Sequence, residues 1–368
     1  MSIFLFIVIL VVLVWVHELG HFSAAKLFGI RVDEFAIGFP PRLFTLQWGE
    51  TRYSFNLLLI GGYVSIHGEN GQEKGEAKDP RAFTSKPRPV QAAVIVAGIL
   101  FNVVFAWMVL AGGFMAGLQM GADHQGFGQV TNARPTIVGV MPGSPAEAAG
   151  IKPGDVVEQI HTATDSFDLR TLSTDRQAGM VHDFLVAHES QSVGLVVDRG
   201  GEEKDFIVKA KEGIVDGRKV LGIELDDVGV LRLPPHLAVL QAGLVAKNIL
   251  WAEATGLGNL VKGLFAGGAD LNQVSGPVCI VSIGSQLVSQ GFSSTVTIIA
   301  LISLNLALIN LVPIPGLDGG RLLFIGIESV LRRPINQRRA TGFTILGFAA
   351  LLLLMLLVSV NDIAKLVG

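Results

Sequence analysis

The sequence predicts a polytopic α-helical membrane protein of about four transmembrane helices, with a β-hairpin after the first span and one α+β domain inserted between the second and third. Three observations predict it. Apolar stretches long enough to lie in a bilayer fall within residues 1–30, 91–118, 293–331 and 340–361. Half of the 368 residues are hydrophobic and only 16% are charged, with a mean hydropathy of +0.54, a balance that suits spans plus one soluble module. Over residues 119–225 charges return and no apolar run is long enough to cross.

Residues 1–30 open with an unbroken apolar run from Ile3 to Val16, free of Gly and Pro. It lacks a basic start and a small-residue cleavage site, so it is expected to be a retained span and not a signal peptide. On this span sits His17-Glu18-Leu19-Gly20-His21, an H-E-x-x-H pattern. Positions i and i+4 share a helix face, so His17 and His21 can aim two imidazoles at one metal ion, with Glu18 beside them to handle a proton. Ionisable groups at membrane depth cost at least about 2.5–3.5 kcal/mol each, which marks all three as functional candidates.

Residues 31–90 hold four strand-like pieces, 31–39, 43–47, 51–59 and 61–64, and Thr51-Arg52-Tyr53-Ser54-Phe55 shows the alternation of a hairpin. Gly61 and Gly62 admit a close backbone approach or a turn with positive φ. Residues 69–88 are charged and Pro-punctuated, which reads as a solvated loop. The second span, 91–118, carries no charge and one conspicuous polar residue, Asn102. An interhelical hydrogen bond and a contact near the metal site are both open to it.

Within 119–225, Met141-Pro142-Gly143-Ser144-Pro145-Ala146 leads into Ala149-Gly150-Ile151-Lys152-Pro153-Gly154-Asp155, and strands over 193–198 and 204–209 are joined by Arg199-Gly200-Gly201. The following region, 226–292, is a helical linker. Its apolar residues recur at helical spacing, as in an interfacial amphipathic helix or one packed on its own domain, and Ser275-Gly276-Pro277 marks a turn. The third span lies in 293–331 and is interrupted by Asn310-Leu311-Val312-Pro313-Ile314-Pro315-Gly316-Leu317-Asp318-Gly319-Gly320. Two prolines and three glycines must break the helix. Non-helical backbone at membrane depth survives only where protein or a wet cavity satisfies it. Asp318 is the only acid of that stretch; it would complete a His-His-Asp set for Zn2+ and leave a fourth position for water, and it also suits the N-cap of the next helix. The fourth span is 340–361.

A lone cysteine, Cys279, excludes an internal disulfide and any cysteine-rich zinc motif. The net charge of −3 and the lack of a basic, aromatic-interleaved patch argue against a nucleic-acid partner. Arginines crowd the loop at 332–339 and basic residues are spread over 31–88, two loops on one side of a four-span chain. The positive-inside rule puts both in the cytoplasm, and the 119–225 domain and both termini outside.

The 136–160 stretch resembles the PDZ domains of bacterial proteases, with an Ala-Gly-Ile-x-x-Gly-Asp turn after a Ser-Pro-Ala helix start. Such a PDZ-like domain would either take a peptide C-terminus as an added strand or act as a spacer or steric plug. Together, the H-E-L-G-H helix, this insert, the Asn310…Asp318 stretch and Asn361-Asp362 resemble the bacterial site-2 proteases, in the branch typified by the regulator of sigma-E protease (RseP). The resemblance covers nearly the whole chain. It implies an intramembrane zinc metalloprotease of the bacterial inner membrane with its active site toward the cytoplasm. In it His17, His21 and Asp318 hold zinc and Glu18 is the catalytic acid/base. Asn310 would help hold the substrate backbone, and Gly61, Gly62, Tyr63 and Val64 would belong to a membrane-associated hairpin that pairs with unwound substrate. The substrates it implies are single-span membrane proteins, an anti-sigma factor first and remnant signal peptides second. Pro40, Leu59 and Ile99 depart from the family pattern, the last replacing Pro in Gly-Pro-x-x-Asn, and there is room for one PDZ-like domain where familiar relatives carry two. A rival reading is a metal-ion transporter or PDZ scaffold with a structural metal; a transporter should show repeated halves with paired broken helices.

Overall fold

The first apolar run forms helix α1 (Ser2–Leu27), 26 residues and about 39 Å long at 1.5 Å per residue. It is followed by β1 (Val32–Trp48), β2 (Thr51–Ile66), α2 (Arg88–Ala116), β3 (Leu118–Gly121), β4 (Thr131–Val140), α3 (Pro145–Ala148) and β5 (Val156–His161). Then come β6 (Ser166–Asp168), α4 (Gln177–Ala187), β7 (Ser192–Arg199), β8 (Glu202–Lys209), β9 (Lys211–Val215), β10 (Arg218–Val220) and β11 (Ile223–Leu231). Helices α5 (Pro235–Ala266), α6 (Pro277–Ser289), α7 (Phe292–Leu311), α8 (Asp318–Leu331) and α9 (Gln337–Val367) complete the chain. The computed structural model describes residues 1–69, 79–172, 177–215, 218–266, 276–333, 335 and 337–367. It divides into one unit of Met1–Leu110 with Ala242–Gly368 and a second of Ala111–Gln241.

Among the described residues, α1, α2 and α7 are long and apolar enough to cross a membrane. Residues 340–361, where the sequence predicts a fourth span, are helical within α9, which is not one of these three. Helix α1 buries Phe6, Ile9, Leu13, Val16, His17, Gly20 and His21, a stripe at three- and four-residue spacing, while Ile3, Phe4, Val8 and Trp15 stay exposed. Both faces are apolar, as expected where the outer solvent is lipid. Phe6, Ile9 and Leu13 pack against Val288 of α6 and Ile298 of α7. Near its other end, α1 crosses α2 closely: a Cβ added at Gly20 would come within 2.8 Å of the Gly98 Cα. Small residues at a crossing are how membrane helices approach.

Strands β1 and β2 bend, so the two make a four-segment antiparallel sheet. Phe35 pairs with both Tyr53 and Val64, and Ala36 with both Ser54 and Tyr63, while Phe44 to Trp48 pair with Phe55 to Thr51. The spatial order is therefore 62–66, 34–37, 51–55, 44–48. These are the pieces the sequence marks as strand-like. Gly38 (φ +80°) sits at the bend of β1 and Gly49 (φ +62°) in the two-residue turn. The expected solvated loop needs correcting: Ala82 and Phe83 are buried, and Phe83 packs with Ile66 and Ile95. Residues 70–78 of that loop lie outside the described residues.

Two distant motifs meet at the start of α6. Asp362 of α9 accepts hydrogen bonds from the backbone N–H of Gly276 (3.3 Å) and Cys279 (3.0 Å), so the Gly-Pro turn and the late Asp form one remote N-cap.

The second unit is built on a seven-stranded sheet of order β3-β11-β4-β5-β7-β8, with β6 on β5. Its core centres on Ile137, Ile160, Leu195 and Val197. Ser144 caps α3 by accepting from the Glu147 N–H, and the Glu147 carboxylate accepts from the Gly143 N–H. The buried Asp155 takes two guanidinium N–H groups of Arg199, each at 2.6 Å, and the Lys152 N–H at 2.9 Å. The Lys-Pro-Gly-Asp turn is thus tied to the β7–β8 hairpin. Strand β11 pairs with β3 as well as β4 and runs on to Leu231, so the sheet continues past the expected boundary at 225.

Candidate active site and metal centre

Two helix crossings and one helix break assemble the site. His21 Nδ1–H donates to the Val94 carbonyl of α2 at 2.9 Å; a carbonyl only accepts, so the Nε2 lone pair is left for another partner. A methyl at Gly98, one turn further along α2, would land on the His21 ring, so glycine there makes room for the imidazole. Another turn on, the buried Asn102 carboxamide lies 3.3 Å from His17 Nδ1 through its nitrogen, with its oxygen buried and unpartnered. A half-turn of that amide puts the oxygen on His17 Nδ1–H, satisfies the orphan acceptor and frees His17 Nε2 as well. Both readings open to Asn102 hold: it bridges two helices, and it does so at the site.

Asp318 arrives from the other side. After α7 the chain leaves helix at Val312, and short turns such as Ile314 N–H to Val312 O (2.7 Å) and Leu317 N–H to Ile314 O (3.1 Å) satisfy part of the freed backbone. Leu317, not Asp318, is the N-cap of α8, which corrects the capping role open to Asp318: its side chain makes no cap bond and turns to the histidines. His17 Nε2 and His21 Nε2 stand 3.2 Å apart, and Asp318 Oδ2 is 3.0 and 3.1 Å from them. Four-coordinate zinc with bonds of about 2.0–2.1 Å sets its ligands about 3.3 Å apart, so the triangle is close to the one zinc needs. Three lone pairs converge on a point where the buried Asp318 Oδ2 accepts no hydrogen bond. A cation resolves that repulsion, and the donor set fits one. Among the described residues these three form the group that could hold a metal ion.

Glu18 lines the same cavity, of about 450 Å³, with Tyr63, Val64 and Asp318. Gly62 lies beside the acid, since a Cβ there would stand in ordinary contact with Glu18 Cγ at 3.8 Å, but what requires glycine is the Ala36 carbonyl of the paired strand, 2.8 Å from that Cβ; Gly61 faces the ring of Phe39. Asn310 stands half-buried at the end of α7 and does not line this cavity. Glu69 and Arg321, which the sequence reading did not single out, do line it and form an ion pair. Burial pushes the Glu69 carboxyl above its ordinary pKa, against the pull of the Arg321 guanidinium. The spacing of Arg321 three residues after Asp318, on the same helix face, is the signal that could have found it.

The chain is similar to known zinc metalloproteases along nearly its whole length. The profile of peptidase family M50 matches residues 5–354. Zinc metalloprotease RasP of Shouchella clausii is 30% identical over 438 aligned positions covering 98% of each chain. RasP of Geobacillus kaustophilus is 29% identical, covering 99% of this chain and 98% of its own. A provisionally named zinc metalloprotease of Synechocystis sp. is 34% identical over 361 positions, 96% of this chain and 92% of its own.

Proposed function

The chain belongs to peptidase family M50, and from that premise we propose that it is an intramembrane zinc metalloprotease performing site-2 cleavage of single-span membrane proteins. The observation that carries the reading is the convergence of His17, His21 and Asp318 beside Glu18, in one cavity walled by a strand edge. His17, His21 and Asp318 hold the ion, and Asn102 and the Val94 carbonyl fix the two imidazoles. Zinc in such a site supplies Lewis acidity, acidifying a water and polarising the scissile carbonyl. Glu18 takes the proton of the attacking water and returns it to the leaving amine.

A transmembrane helix hides its peptide bonds in its own hydrogen bonds, so the substrate must unwind at the cut. The 62–66 segment pairs with 32–37 on one flank only among the described residues, which supports its role as the edge on which an unwound chain recovers its hydrogen bonds. Asn310 is proposed to meet the substrate backbone beyond the cavity.

The second unit is proposed as a PDZ-like domain outside the cytoplasmic membrane, with α9 as the fourth span and the active site toward the cytoplasm. Residues 223–226 of β11 pair with β4 but, among the described residues, have no strand on their other flank, the β3 side ending where the Ala122 N–H donates to the Asp227 carbonyl at 2.7 Å. The Asp227 carboxylate accepts from the Ala178 N–H of α4 at 2.9 Å, so this short edge runs beside a helix. That arrangement supports capture of a peptide C-terminus, such as an earlier cut leaves on an anti-sigma factor. Remnant signal peptides are a second substrate class.

The test is cleavage of a truncated single-span substrate by detergent-purified protein, native and Glu18→Gln, with zinc measured on both. Cleavage by the native chain alone, with zinc retained in both, is expected; zinc in both and cleavage by neither would return the site to a structural metal.

A further inference from the structure

The cavity has two facing walls. One is the 62–66 edge, ending in a turn where the Glu69 N–H donates to the Ile66 carbonyl at 3.2 Å. The other is the start of α8, which presents Asp318 and Arg321 three residues apart on one helix face. These walls come from opposite ends of the sequence. Between them stands the Arg321–Glu69 ion pair, with the Glu69 side chain 7% exposed and that of Arg321 46% exposed. A carboxyl group that deep in protein has exchanged its water for the Arg321 guanidinium, so parting the two leaves it desolvated and without that partner. The pair therefore resists separation of the walls.

We propose that the Arg321–Glu69 ion pair is a clasp that sets the spacing between the strand edge and the metal-bearing helix, so that Arg321 and Glu69 are positioning residues for substrate. The inference rests on the proteolytic reading for its purpose, but the clasp itself is a statement about geometry. Neither residue belongs to the His17–His21–Asp318 ligand set, so the metal is expected to stay when the clasp opens. What changes is how far a chain laid on the 62–66 edge stands from Glu18 and the ligands.

The experiment places a reporter cysteine at Ser65, which lines the cavity, in full-length protein whose Cys279 is replaced by alanine. The rate of N-ethylmaleimide labelling is then measured for the parent, Arg321→Glu, Glu69→Arg and the double exchange. Each single variant should label on the order of tenfold faster, because the cavity opens locally, and the exchange should restore the parent rate. Zinc content should be equal in all four. In the same proteins without the reporter, the single variants should lose on the order of tenfold to a hundredfold in kcat/KM, with the cut site blurred, and the exchange should recover most of it. Labelling rates that ignore the single changes, or an exchange no better than either single variant, would overturn the clasp. Should the parent label slowly, open on clasp removal and hold zinc while cleaving nothing, the clasp stands and the proteolytic reading is what has failed.

Discussion

Gly98→Ala sets two effects of known size against each other. Alanine in a helix interior is favoured over glycine by about 0.5–1 kcal/mol, so helix propensity alone predicts a slightly more stable protein. Sterics predict damage. The new methyl would overlap the Nε2 edge of the His21 ring and lie 2.9 Å from its Cδ2, well inside van der Waals contact. The ring cannot swing aside freely, because its Nδ1–H is held by the Val94 carbonyl at 2.9 Å and its Nε2 sits 3.1–3.2 Å from Asp318 and His17. Restoring contact distance needs a shift of several tenths of an ångström, while metal–ligand distances hold to about ±0.2 Å. The loss should exceed the 10–100-fold typical of outer-shell changes in metal affinity. The assay is zinc affinity by chelator competition, with thermal unfolding alongside. Gly112→Ala is the control, since an added Cβ there meets nothing within 4 Å on the same helix. Native-like affinity in Gly98→Ala, or equal losses in both variants, would show that Gly98 does not make room for the His21 ring.

Asn102→Ala should weaken zinc binding by roughly 10–100-fold while the protein stays folded, because His17 loses the partner of its Nδ1; chelator competition reads this directly. In the second unit, burial raises the pKa of Asp227, with the neighbouring Ala178 N–H opposing. A carboxyl with a raised folded pKa contributes stability that is full below its unfolded value, near 4, and lost as pH rises through the folded value. Asp227→Asn should therefore unfold at higher temperature than native protein at neutral pH, with the gap closing below about pH 4; a gap that widens on acidification would reverse the assignment.

The chemistry was legible in the sequence because it is local. His17, Glu18 and His21 are placed on one face by the pitch of a single helix, and their apolar flanks announce that the helix lies in lipid. The break at Pro313–Gly316 is equally local, since missing donors and permissive φ act on their own turn. The strand pieces of 31–66 could be read for the same reason, but not their order, because pairing 34–37 with both 52–55 and 62–65 depends on bends that bring distant backbone together. Contacts between elements emerge only when the helices and strands pack. Nothing in the pattern around Gly98 says that it faces His21, that Asn102 meets His17, or that Arg321 and Glu69 close one cavity. Such contacts depend on where two helices cross, and that is set by small residues at the crossing and by packing over the whole unit. Residue order along one helix and one broken turn supplies the atoms that could bind a metal, and packing brings three of them to about 3 Å from one another.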